Sequence, residues 1–194
     1  MSSRRLLVRC VLYGLASLLL AGIVHIFVVL TVPGHVRAEA FARLARIGSD
    51  RQFHVLPAVA PGAEPLPMLD PEMGHALCWF RLPDGPVSLS AAVNSPFWSM
   101  ALFNGAGEVV YSLNNRTSGS GELAMLVLTT PQLSILRANP PENLDELIVI
   151  ETDQTEGFVL LRAFVPDRPS TDTVNAGLKA ARCETMRSGT PESG

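Results

Sequence analysis

Three hydrophobic patterns follow one another along the chain. From Cys10 to Val32 runs a stretch of 23 residues, CVLYGLASLLLAGIVHIFVVLTV, without an Asp, Glu, Lys or Arg. As a helix rising about 1.5 Å per residue it would reach roughly 34 Å, enough for a hydrocarbon layer about 30 Å thick. It predicts one transmembrane helix over residues 10–32, with residues 1–9 as a short N-terminus. Pro33-Gly34 then predicts a break, after which Phe41, Leu44, Ala45 and Ile47 recur at helical spacing with Arg37, Arg43 and Arg46 between them. This reads as a separate juxtamembrane helix within residues 33–49, lying along the head groups or docked on the domain and stopped by Gly48.

The second pattern is the loss of any period. Residues 50–73 carry Pro57, Pro61, Pro65, Pro67 and Pro71. Proline has no amide donor and a fixed φ, so this segment is expected to be an extended spacer outside any sheet core. His54 lies in it without a second ligand at fixed spacing and reads as structural or solvated, not metal-binding.

The third pattern is that of strands. In His75 to Leu82, the residues Ala76, Cys78, Phe80 and Leu82 share a face. After the turn Pro83-Asp84-Gly85, Val87, Leu89 and Ala91 alternate with Ser88 and Ser90, the mark of a half-buried strand. Trp98 to Asn104 and Glu108 to Leu113 are expected to pair through the glycine-containing connection Asn104-Gly105-Ala106-Gly107. Leu123 to Thr129 is a near-continuous apolar run and so a strand buried on both faces. Thr130-Pro131 predicts a helix N-cap with proline at the first helical position, and Asn139-Pro140-Pro141 stops that helix. Strands follow at Leu147 to Glu151 and Phe158 to Val165; strand, short helix and strand in succession suit a crossover to a parallel neighbour. A last helix, Ser170 to Arg182, sets Val174, Leu178 and Ala181 on one face to cover the sheet. The predicted class is mostly β (α+β): a β-sandwich-like soluble domain over residues 74–184 with a short internal and a C-terminal helix, then a disordered tail, 185–194.

Charge adds compartment and excludes one partner. The net charge is −3 with basic residues scattered, so there is no electrostatic footprint for nucleic acid. Arg4, Arg5 and Arg9 before the apolar run, and Ala38-Glu39-Ala40 after it, also fit a signal peptide. The run exceeds the usual h-region of roughly 7–15 residues and Ala40 lies well beyond its end, so an uncleaved anchor is expected. Arg37, Arg43, Arg46 and Arg51 follow the helix, so the positive-inside count does not decide orientation. Long domains cross largely regardless of charge, so the expected orientation keeps the short N-terminus inside and translocates the C-terminal domain. Ser17-x-x-x-Ala21 is a small-xxx-small pair that would suit a helix-mediated homodimer. His25, alone in the span without an acidic or basic partner, reads as a tolerated polar residue.

Cys10 belongs to the membrane run, which leaves Cys78 and Cys183, and two cysteines can pair in one way. In an oxidising compartment their bridge would close a loop of more than a hundred residues, worth about 4.7 kcal/mol on the loop-entropy account. The alternative is two buried free thiols. A bridge requires the last helix to carry Cys183 towards Cys78 on the first strand.

Chemistry is sparse. The chain has no G-x-S-x-G elbow, no H-E-x-x-H, no C-x-x-C, no G-x-x-x-x-G-K-S/T loop and no G-x-G-x-x-G after a strand, so no catalytic residue, cofactor or metal site is predicted. The segment richest in candidate contacts is Phe97 to Arg116. Trp98 and Tyr111 on adjoining strands are expected to make an aromatic cross-strand contact, while Asn114, Asn115 and Arg116 gather polar donors at the hairpin end. Together these five form a candidate ligand or partner contact. The plainer reading is core aromatics followed by a polar turn.

The order of anchor, spacer, HALCWFRL, PFWSMALFNGAGEVVYSLNNR, LTTPQLSILR and a closing helix ending in Cys183-Glu184 resembles the bacterial family catalogued as domain of unknown function 1254, in its short membrane-protein form. The pair Trp98-Ser99 is similar to a motif of a companion family, domain of unknown function 1214, which is fused to the first in some longer proteins. The resemblance implies β-sandwich-like architecture and a companion partner, and it supplies no catalytic residues. The function expected is therefore that of a membrane-anchored periplasmic binding or assembly module of the bacterial envelope. Its partners would be the lipid bilayer and a companion membrane or periplasmic protein. The rival is an envelope enzyme acting on a small molecule through Tyr111, Asn114 and Arg116.

Overall fold

An uninterrupted helix, α1 (Ser2–Leu44), opens the chain. Its segment Ser3–Thr31, 29 residues with a mean hydropathy of 2.3, is long and apolar enough to cross a membrane and leaves its side chains exposed all round. A helix apolar on every side has no packing face of its own, which suits lipid better than water. The break expected at Pro33-Gly34 is absent, and the anchor and juxtamembrane helix are one element. Proline at position 33 forfeits the bond to the Val29 carbonyl. Strong helix formers follow at Ala38, Glu39, Ala40 and Leu44, so one lost bond does not end the helix. It ends at Leu44, four residues before Gly48, in a turn where the Ile47 N–H donates to the Leu44 carbonyl at 3.0 Å.

The structure is a computed structural model that describes residues 2–44, 46–60, 62, 64–66, 69–117, 121–141 and 144–186, with the side chains of 2, 32–43 and 146 excepted. The chain separates into two units, residues 1–40 and 41–194. Within the second unit the described strands are β1 (His54–Val55), β2 (Met73–Arg81), β3 (Val87–Ala91), β4 (Trp98–Asn104), β5 (Val109–Asn114), β6 (Leu123–Leu128), β7 (Ile148–Glu151), β8 (Glu156–Phe164) and β9 (Arg182–Thr185). The helices are α2 (Thr130–Ala138) and α3 (Thr171–Ala180). One sheet has the order β1-β2-β8-β4-β5 and the other β7-β6-β3-β9.

Alternation builds the sandwich. Ala76, Cys78 and Phe80 of β2, Trp98, Met100 and Leu102 of β4, and Val159, Leu161 and Ala163 of β8 face Val87, Leu89 and Ala91 of β3 and Leu123, Met125 and Val127 of β6 in one core. These are every-second residues of each strand, as period-2 burial demands. On β6 two of the intervening positions, Leu126 and Leu128, pack with Leu136 of α2 in a separate cluster. That second contact is why the run is apolar throughout. The crossover is as read from the sequence, because β7 pairs parallel to β6 with Met125 opposite Ile148. The cap of α2 lies one residue earlier than expected: Thr129 donates its N–H to Gln132 Oε1 at 2.9 Å, the return half of a capping box that puts Pro131 second in the helix.

Three expectations are corrected near the ends. The proposed spacer is not wholly outside the sheet, since β1 pairs with β2 (His54 opposite Leu77) and Phe53 is buried in the core. The prolines begin only at Pro57, so residues 51–56 keep their amide donors, and the Leu56 N–H reaches the His75 carbonyl at 2.8 Å. The last helix ends at Ala180 instead of Arg182, and Cys183 is delivered by β9, which pairs with β3 (Leu89 opposite Cys183). Cys78 and Cys183 are bridged, with Cα atoms 6.6 Å apart, so the disulfide ties one sheet to the other. Thr185, read as tail, closes β9, and the Met186 N–H donates to the Pro86 carbonyl at 2.7 Å. The rest of the predicted tail, 187–194, lies outside the described residues.

Helix α3 closes the sandwich, with Val174 and Leu178 buried in its core. Gly74 permits this approach: a Cβ there would stand 3.0 Å from Leu178 Cδ1. On the outer side of the larger sheet, Leu77, Phe158 and Leu160 form a second apolar cluster with Leu44, Ile47, Leu56, Leu66 and Leu69. Gly48 is fixed there by contact, since a Cβ would run into the His54 ring, and its carbonyl accepts the Trp79 Nε1–H at 3.0 Å.

Candidate functional site

The five residues singled out in the sequence do not converge on one surface. Trp98 is 1% exposed and belongs to the sandwich core, whereas Tyr111 is 39% exposed on the edge strand β5. The register sets Tyr111 opposite Leu102, four residues along β4 from Trp98. That is roughly 13 Å of strand, so the expected aromatic contact is not made. The hairpin decides this, because its loop and the irregularity between Leu102 and Phe103 place Tyr111 near the turn while Trp98 starts the strand. Asn114 Oδ1 accepts the Arg116 N–H at 3.0 Å, and its own N–H donates to Thr117 Oγ1 at 3.1 Å. Asn115 donates Nδ2–H to the Pro96 carbonyl at 3.3 Å, and Arg116 is exposed. The Asn114 bonds are those of an Asx-type turn, and the Asn115 bond ties that turn to the segment leading into β4.

A different constellation emerges from the register. On the outer face of the larger sheet, His75 of β2 stands opposite Arg162 of β8, Arg162 opposite Ser99 of β4, and Ser99 opposite Asn114 of β5. Four polar residues from four strands thus form one transverse row. Arg162 donates its Nε–H to Ser99 Oγ at 3.3 Å. His75 and Ser99, at 2% and 3% exposure, are the buried polar side chains among the described residues. His75 Nε2 has no hydrogen-bond partner there. Apolar residues bound the row on both sides, Met73 and Phe164 on one, Leu77, Leu160 and Ala101 on the other.

Burial holds the His75 imidazole below its ordinary pKa, and the Arg162 charge adds to this, against weaker opposite pulls from Asp70 and a backbone bond at Met73. The protonated ring is thus disfavoured in the fold. The unfolded chain then binds more protons below the ordinary imidazole value of 6.5, so stability falls as pH drops from there through the depressed folded value and is unaffected by this group above it. Denaturant titrations of the full chain at several pH values should show that slope, and His75→Gln should flatten it. An equal slope in the variant would remove the assignment.

His75 and Ser99 lie two strands apart, about 10 Å at usual spacing, so they form no hydrogen-bonded nucleophile and base pair. What the row offers is a line of hydrogen-bonding groups around one cation. The sequence signal for it was local: His75, Ser99 and Arg162 each interrupt an apolar strand at an outward position. Their meeting depends on a register that no local pattern reveals. Elsewhere, Phe80, Leu82, Phe103, Val127 and Glu156 help line a cleft of about 10 Å³. That is room for one water, against several hundred Å³ in a usual ligand pocket.

Comparison with known proteins places this architecture. A crystal structure of the VPA0106 protein from Vibrio parahaemolyticus superposes with a TM-score of 0.60 at 12% identity, covering 80% of this chain and 36% of that one. A structure of an uncharacterised protein from Burkholderia cenocepacia gives a TM-score of 0.45 at 11% identity, covering 84% of this chain and 44% of that one. The chain therefore spans less than half the length of either. At these identities the first likeness speaks to the fold alone. No curated protein matches the chain. The family model described as "Protein of unknown function (DUF1254)" matches residues 52–184, from the residue before the buried Phe53 to the second-last of β9, and the chain belongs to that family.

Proposed function

We propose that the protein is a binding or assembly module of the bacterial envelope, anchored in the inner membrane by α1 with its β-sandwich in the periplasm. The observation that carries this is the Cys78–Cys183 bridge between the two sheets, because such bridges persist in oxidising compartments and are rare in the cytosol. The apolar Ser3–Thr31 segment supports the anchor, being long enough to span where a signal peptide core is shorter. The partner of this reading is a protein of the companion family, domain of unknown function 1214.

In-cell crosslinking of a tagged full chain, followed by detergent extraction and mass spectrometry, tests it. A companion-family protein recovered in near-equal amount is the expected result. Recovery of the protein alone overturns the assembly half. A shortened chain found free of the membrane fraction overturns the anchor.

A further inference from the structure

We propose that the row His75, Arg162, Ser99 and Asn114 on the outer face of the larger sheet binds the carboxylate of a singly charged organic acid with an apolar body. Arg162 carries the row's one formal charge. It is partly buried, and among the described residues no carboxylate lies within ion-pair reach of it. Its Nε is committed to Ser99 Oγ, while its two Nη groups make no hydrogen bond among the described residues. That leaves part of a planar fork whose geometry matches a carboxylate. A guanidinium withdrawn from water without a counter-charge is costly, and a bound anion removes that cost.

The neighbours supply the remaining contacts. Ser99 accepts from Arg162, so its own hydroxyl proton is free to donate. Asn114 Oδ1 is held by the Arg116 N–H, and its Nδ2 protons have no acceptor among the described residues. His75 Nε2, buried and without a partner among the described residues, closes one end of the row, and the partly exposed Asn114 stands at the other, on the edge strand β5, with the partly exposed Arg162 beside His75 and the buried Ser99 between Arg162 and Asn114. The acid whose charge His75 feels is Asp70, which is exposed and spends Oδ1 on the Glu72 N–H at 2.8 Å.

The charge of the row sets the class of ligand. With the imidazole kept neutral, the site holds one positive charge, which a monocarboxylate balances and a phosphate dianion exceeds. Met73 and Phe164, partly exposed on one flank, offer the apolar contact that the body of the acid needs, whereas Leu77 and Leu160 on the other flank are already packed in the cluster around Leu44 and Leu56.

This names a ligand for the module proposed above and rests only on the binding half of that reading. Its test uses purified protein without partner or compartment, so a failure here leaves the crosslinking result standing. The full chain in lipid nanodiscs, isotope-labelled at histidine, is titrated with benzoate while the imidazole signals of His25, His35, His54 and His75 are followed; His75→Gln assigns the fourth. A saturable shift of the His75 signal alone is expected. Arg162→Gln should weaken it about tenfold or more, as loss of a charged hydrogen bond predicts, while Arg116→Gln leaves it unchanged. Should Arg162→Gln not fold, Arg162→Lys decides, since a point charge without the fork should bind several-fold more weakly. Absence of a His75 shift, an equal shift in either Arg162 variant, or displacement of benzoate by equimolar inorganic phosphate overturns the proposal.

Discussion

Replacing Cys78 and Cys183 together by alanine should lower the thermal midpoint of the full chain by about 4–20 °C. Loss of a native disulfide from a small domain costs about 2–5 kcal/mol. Each kcal/mol moves the midpoint of a protein of this size by about 2–4 °C. The upper part of the range is favoured by the 105 residues between the two cysteines, since longer loops lose more unfolded-state entropy when closed. It is favoured too by position, because both sulfurs are buried where β2 and β9 face each other across the sandwich. Thiol titration checks the premise. Unreduced, denatured protein should show one reactive thiol, Cys10, and reduced protein three. Three before reduction would remove both the predicted loss and the argument for an oxidising compartment.

The second large effect separates two residues that the sequence appeared to couple. Trp98→Ala should cost about 3–5 kcal/mol, the usual penalty for emptying a large aromatic site in a packed core. Tyr111→Ala should cost about 1 kcal/mol or less, since its ring is partly in water on an edge strand. Denaturant midpoints of the two variants measure this directly. Comparable losses would mean that β5 is held to the core more firmly than its exposure indicates. A small loss for Trp98→Ala would return that residue to the list of contacts for a partner.

The legible parts of the fold were those written within a few neighbouring residues. Val87 to Ala91 shows its alternation outright, the apolar run of β6 announces burial on two sides, and Thr130-Pro131 with Asn139-Pro140-Pro141 frames α2 to within a residue. The crossover followed from order alone. Elements without a local pattern were missed. Strand β9 is Arg-Cys-Glu-Thr, a sequence with no strand signature, and it is extended because the free side of β3 offers it a ladder. Strand β1 is two residues long and hides in front of the prolines. Pro33-Gly34 misled in the other direction, since a breaker within strong helix formers ends nothing. The transverse row was illegible for a geometric reason. Its four members come from β2, β8, β4 and β5, and a slip of one residue in any pairing would turn one of them to the opposite face of the sheet.

The order of the strands also governs when this domain can fold. Met73 pairs with Phe164, and β3 pairs with β9 at the chain's far end. A chain entering a compartment with its N-terminal end leading has β2 and β3 in place long before their partners arrive. Contacts this distant in sequence slow folding, to the range of milliseconds to seconds for all-β domains. Meanwhile the apolar faces of β2 and β3 and their unpaired edges are open to other chains. Maturation therefore waits on the last twenty residues of the sandwich, and a nascent chain held short of β9 would be prey to aggregation and proteolysis instead of a partly working module.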